Sequence, residues 1–245
     1  MAALGPETAL VTIMHANNET GVLQPVRVVA EASRQAGAIV HTDAAQSVGK
    51  VPVDVGALGV DLLSIAGHKV YAPKGVGALY VRRGTPLRPF VLGAGHEGGL
   101  RPGTENVASI VGLGVACERA RLDLAAESAR VRALRDRLWH ELCDGVPGLA
   151  LNGLSSERLP NTLSVRFPGV SGSALLEAAP SVAASTGSAC HAGHEEAPAV
   201  VVAMSIPARE ALGTIRLTLG RGTTEADVRR AAQRLTEAWR NLSRQ

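Results

Sequence analysis

Three stretches of the 245-residue chain set chemically able side chains directly after a short apolar run. LVTIM at 10–14 is followed by His15-Ala16-Asn17-Asn18-Glu19-Thr20-Gly21, AIVHT at 38–42 by Asp43-Ala44-Ala45-Gln46-Ser47, and DLLSI at 61–65 by Ala66-Gly67-His68-Lys69. Ligands of α/β sheets bind at the carboxyl ends of strands, so these are the positions to inspect. Each signal is weak alone. An Asp after a strand is as often a helix cap, and a His-Lys pair is usually a surface pair. Together they have one chemical logic. A lysine forms a Schiff base, and a carboxylate keeps a pyridine nitrogen protonated so that the ring accepts electrons. Lys69 and Asp43 are the candidates for these two roles, which are the ones pyridoxal 5'-phosphate (PLP) requires. Gln46 is placed to hydrogen-bond a ring oxygen and His68 to meet a phosphate.

A second constellation is Thr186-Gly187-Ser188-Ala189-Cys190-His191-Ala192-Gly193. Small residues let a loop move, and a mobile, partly exposed thiolate is a nucleophile. In general a buried structural cysteine is commoner. Cys190, His191 and His194 also permit a zinc reading, but no fourth ligand is evident and no metal is expected. Cys117 and Cys143 fall on helical patterns and are assigned to packing.

The elements that must position these groups follow from apolar periodicity. Strands are expected at 10–14, 38–42, 61–65 and 77–81, with a helix over 26–35 that Gly37 ends. Runs apolar on both faces, separated by helices, point to a largely parallel α/β sheet covered on both sides. Two helices are expected over 107–125 and 126–144, the second with Val131, Leu134, Leu138 and Leu142 at helical spacing. Beyond them strands are expected at 150–151, 163–167, 182–184 and 215–219, with a helix at 173–179. Thr223 opens a last amphipathic helix whose first turn holds Glu225 and Asp227, where negative charge suits the helix dipole. The division is a large α/β domain over 1–110, then a linking helix and small α+β domain over 111–245.

Composition bounds the function classes. Hydrophobic residues make up 46% of the chain, so an ordinary core can form, but aromatics are only 2%. Single-stranded nucleic acids are held by stacking on aromatics, and a net charge of +3 is too mild to recruit a polyanion. No nucleic-acid partner is expected. No apolar run reaches the ~18 residues of a membrane span, and three sparse cysteines do not form a secreted disulfide framework. A cytoplasmic protein that does not engage a membrane is expected.

The strings VTIMHANNETGVLQPV, HTDAAQSVGK and SIAGHKVYAPKGVGALYV, continued by GAGHEGGLRPGTENVASIVGLGVA, LPNTLSVRF, STGSACHAG and TIRLTLGRGTT, resemble the cysteine desulfurases and selenocysteine lyases, in the family's order and over essentially the whole chain. These are PLP enzymes of fold type I in the class-V aminotransferase group. The resemblance implies that Lys69 holds PLP as a Schiff base, Asp43 pairs with its pyridine nitrogen, Gln46 with its ring hydroxyl and His68 with its phosphate. Asn18 would sit beside cofactor and substrate. Thr104, in RPGT, would reach the phosphate of the neighbouring subunit's cofactor in a homodimer. Arg216 would clamp the substrate carboxylate, a task that suits a bidentate guanidinium. Cys190 matches the nucleophile that takes sulfur from L-cysteine, leaving L-alanine and a persulfide for an acceptor or scaffold protein. The implied destinations of that sulfur include iron–sulfur clusters.

The sequence departs from the family pattern in three places. The family's N-terminal segment, its phosphate-binding loop and its ring-stacking residue have no counterpart here, so the resemblance implies an N-terminally truncated large domain. Ala66 stands where many members carry a phosphate-contacting serine. Gly93-Ala94-Gly95-His96-Glu97-Gly98 replaces a more basic glycine loop. The alternatives are a selenocysteine lyase, which Ala66 and RPGTEN favour slightly, and a catalytically incomplete fragment that is no enzyme on its own.

Overall fold

A computed structural model describes residues 3–154, 156–187 and 196–244. The chain divides into two compact units, one of Met1–His15 with Gln24–Leu124, the other of Ala16–Leu23 with Ala125–Gln245. The division falls inside a helix. The expected boundary at 110/111 lies in that helix's first turn.

In the first unit β1 (Leu10–Met14), β2 (Ile39–Asp43), β3 (Leu62–Ala66) and β4 (Gly77–Val81) form one sheet in the order β1-β2-β3-β4. The first three strands are parallel and β4 returns antiparallel to β3. The helix α1 (Val26–Gln35) crosses over between β1 and β2, and the short α2 (Val55–Leu58) leads into β3. Side chains alternate across a strand, so Ile13, Val40, Leu63 and Ile65 share the face on which α1 sets Val26 and Ala30. This is the core of the unit. The opposite face carries Leu10, Thr12 and Met14 of β1, all exposed. Among the described residues nothing buries that face of β1, whereas Leu62 of β3 on the same face is buried. There His41 Nδ1 lies 2.7 Å from Thr12 Oγ1 and Nε2 2.8 Å from Ser64 Oγ, tying three strands together through one imidazole.

Where two helices were expected, α3 (Val107–Gly145) is one continuous helix of 39 residues. Ala, Leu, Arg and Glu dominate the join at 117–130, and these are strong helix formers. The stretch from Ala125 belongs to the second unit. There Val131, Leu134, Leu138 and Leu142 pack on β5 (Ala150–Leu151), β6 (Thr162–Arg166) and β7 (Thr214–Thr218), an antiparallel sheet in the order β5-β6-β7. The helices α4 (Gly172–Ala178), α5 (Ala199–Ala203), α6 (Ala208–Ala211) and α7 (Glu225–Leu242) complete the unit, with Leu175, Val228 and Leu235 in the same core. The last helix starts at Glu225, two residues later than expected. Thr224 is its N-cap and exchanges hydrogen bonds with Asp227 in a capping box. These bonds, with Arg230, hold the Asp227 carboxyl down to about 2. The strand expected at 182–184 does not form. Ser185 instead makes a single bridge to Arg216.

Candidate functional site

The residues singled out in the sequence fall into one group in each unit. In the first unit Asp43 is the last residue of β2 and Lys69 follows β3, so both stand at the carboxyl ends of adjacent parallel strands, with Asp43 in register with Ser64. The Asp43 carboxylate is exposed, and its Oδ1 accepts the Ala45 N–H at 2.8 Å, which starts the turn through 44–49. Gln46 lies half-buried in that turn. The Asp43 carbonyl accepts the His15 N–H at 2.8 Å, so the carboxyl ends of β1 and β2 are joined.

Lys69 sits in a 3-10 turn, Gly67–Val70, that β3 feeds directly. The Gly67 N–H donates to Val76 and the Ala72 N–H to Gly67, both at 3.0 Å. A Cβ on Gly67 would lie 2.6 Å from the Val76 carbonyl oxygen, so glycine is required for the chain to pass this close. The fold thus fixes the turn through its backbone and leaves the Lys69 and His68 side chains exposed. The turn at 44–49 packs against it. The ideal Cβ of Gly49, whose φ is +73°, would lie 3.5 Å from Val70 Cγ1, and Lys50 Nζ donates to the Lys69 carbonyl at 3.0 Å. Asp43, Gln46, His68 and Lys69 are therefore carried by neighbouring segments. Thr104 lies exposed in the same unit, in the loop that precedes α3. Ala66 closes β3, and the altered glycine loop holds a 3-10 turn at Glu97–Gly99.

In the second unit the turn 17–21 is built by Asn17, whose Oδ1 accepts the N–H groups of Glu19 and Thr20, both at 2.9 Å. Gly21 closes it at φ +74° with no room for a Cβ against Thr162. Asn18 follows Asn17, and its carbonyl accepts the Arg216 guanidinium at 2.6 Å. Arg216, half-buried on β7, also holds Ser185 through both backbone groups, N–H to the Ser185 oxygen at 2.6 Å and carbonyl from the Ser185 N–H at 3.2 Å. Thr186 and Gly187 thus follow the bridge at Arg216. Cys190, His191 and His194 lie outside the described residues, so the nucleophile assignment and the zinc alternative rest on sequence.

Two residues beside these groups went unassigned in the sequence. Lys50 meets the Lys69 turn. Glu19 is buried, its carboxyl pushed up by desolvation against the opposing pull of Arg216. Both belong to quoted strings, QSVGK and HANNETG, but no spacing rule links Lys50 to a carbonyl nineteen positions away. Cys117 and Cys143 are half-buried thiols on α3, and burial pushes both above the usual thiol range.

An exposed amine and an exposed carboxylate thus stand on the segments that end or follow adjacent strands, with an exposed imidazole and a half-buried amide on the same segments. The aminotransferase class-V family matches residues 1–231. A cysteine desulfurase of Gluconacetobacter diazotrophicus is 49% identical over 93% of this chain and 58% of its own. The cysteine desulfurase IscS of Anaeromyxobacter dehalogenans is 48% identical over 98% of this chain and 60% of its own. Among solved structures, a NifS-like protein, 36% identical, superimposes with a TM-score of 0.86 over all of this chain and 64% of that one. The chain spans about 60% of the length of the curated relatives it matches. On the match to nearly its whole length, the chain belongs to the aminotransferase class-V family.

Proposed function

We propose that this protein is a PLP-dependent cysteine desulfurase. The observation that carries the reading is that Asp43 ends β2 and Lys69 sits in the turn that directly follows β3, the adjacent parallel strand. When bound, PLP supplies an electron sink for breaking bonds on the substrate's amino-acid carbons. Lys69 would be the amine that holds its carbonyl. The Asp43 carboxylate would hold the proton on its ring nitrogen, Gln46 would donate to its ring hydroxyl, and His68, with the partner subunit's Thr104, would meet its phosphate. Arg216 orients L-cysteine by its carboxylate, with Asn18 beside it. The guanidinium is already fixed by the Asn18 carbonyl, so little order is lost on binding. The Cys190 thiolate attacks the substrate sulfur. The new S–S bond makes an enzyme persulfide, the carbon–sulfur bond breaks with its electron pair left on carbon, that carbon takes up a proton, and L-alanine leaves. The sulfur then passes to an acceptor or scaffold protein, as in iron–sulfur cluster assembly.

The test is to supply the purified chain with PLP and L-cysteine and follow alanine release together with a 32-Da gain on the protein by mass spectrometry. Equal amounts of both are expected. Alanine without the mass gain would rule out the persulfide route.

A homodimer is part of the same reading. Phe90 is 99% and Leu92 83% exposed, beside exposed Val91, and α3 begins with exposed Val107, Ile110, Val111 and Val115. Exposed apolar residues of this kind support an interaction site. The start of α3 follows the loop of Thr104, the residue assigned to the neighbouring subunit's cofactor. Phe90→Asp with Val111→Asp is expected to halve the mass seen by light scattering. An unchanged mass would place the interface elsewhere. Among the described residues no helix is long and apolar enough to cross a membrane, and a cytoplasmic location fits the sparse cysteines.

A further inference from the structure

The segment that follows Gln46 comes down on the Lys69 turn. Gly49 passes Val70 and also Ala120 of α3, where its Cβ would lie 3.0 Å from the alanine methyl. This steric limit sets Lys50 over the end of the turn. Its half-buried side chain ends in an Nζ that donates to the Lys69 carbonyl at 3.0 Å. Carbonyls at the end of a helical turn lack donors within the helix, and a charged donor makes the stronger bond. The placement has a cost. Burial, with the Lys69 cation beside it, pulls the Lys50 ammonium down to about 8. Two amines gathered at one turn are disfavoured unless the contact is used, since an exposed lysine turns to water at little expense.

We propose that Lys50 is a positioning residue, whose ammonium pins the Lys69 carbonyl and so holds the turn that presents the Lys69 amine to its aldehyde partner. The inference rests on the PLP reading but is tested first without PLP. In the unloaded chain, amide hydrogen exchange over 67–76 is expected to quicken about tenfold in Lys50→Met, the scale of one hydrogen bond to a charged group. Lys50→Arg is expected to restore it. In the loaded chain the rate of PLP capture, read as growth of the visible absorbance, is expected to fall about tenfold in Lys50→Met by the same bond. The pH profile separates this role from a merely structural one. As pH rises through about 8 the parent loses the ammonium, so its capture rate drops relative to Lys50→Arg, whose guanidinium stays charged. Exchange and capture in Lys50→Met equal to the parent would overturn the inference. A parent that captures no PLP would overturn the functional reading instead, and exchange over 67–76 would still decide whether Lys50 pins the turn.

Discussion

Cys190→Ser is expected to abolish sulfur transfer while the visible absorbance of bound PLP persists. The loss should be at least about 10³-fold, the scale on which removal of a nucleophile costs an enzyme. A serine hydroxyl is not ionised at neutral pH, and it cannot carry sulfane sulfur. The other cysteines cannot stand in. Cys117 and Cys143 lie on α3, half-buried, and desolvation raises both thiols, so less thiolate exists at a given pH. Cys117→Ser and Cys143→Ser should therefore keep transfer at the parent level. Persulfide formation in Cys190→Ser at the parent rate would remove Cys190 from its assigned role.

Lys69→Ala is expected to remove the visible band and turnover together, by at least about 10³-fold, since an essential covalent group acts as a unit with its neighbours. The fold should not suffer. The turn at Gly67–Val70 is held by backbone bonds to Val76 and Ala72, and the Lys69 side chain is exposed. The unfolding transition and far-ultraviolet spectrum should match the parent. Lys69→Arg should not rescue, because a guanidinium stays protonated and is no nucleophile. A band in Lys69→Ala with the parent's intensity would show that another amine holds the cofactor, and Lys50, beside the same turn, would be the one to replace next.

Part of the fold is legible in the sequence. Asp43 and Lys69 could be picked out because strand, then polar turn, is a local pattern. The continuity of α3 was not readable. Val107, Val111 and Val115 are apolar but exposed, on the face opposite the buried Val131, Leu134 and Leu138, and two apolar faces in one stretch look like two helices. Hydrogen bonding along good helix formers does not stop where the apolar pattern of the sequence changes face. The apolar run at 182–184 shows the converse. Its composition suits a strand, but strands exist only as ladders, and the ladder here is one bridge at Ser185.

What the sequence determined by itself is the set of chemical groups and their order. Its motifs carry the lysine and carboxylate after consecutive strands, the arginine on a late strand, the thiol among small residues, and through these the family. Motifs of that kind are local, so the identities of a few consecutive residues carry them. What only the tertiary structure decided is which groups meet. The Arg216 guanidinium finds the Asn18 carbonyl across 198 positions, and Lys50 finds the Lys69 carbonyl across 19. Such contacts depend on the strand register and on how closely a turn without a Cβ can approach its neighbour. No periodicity in the chain encodes either.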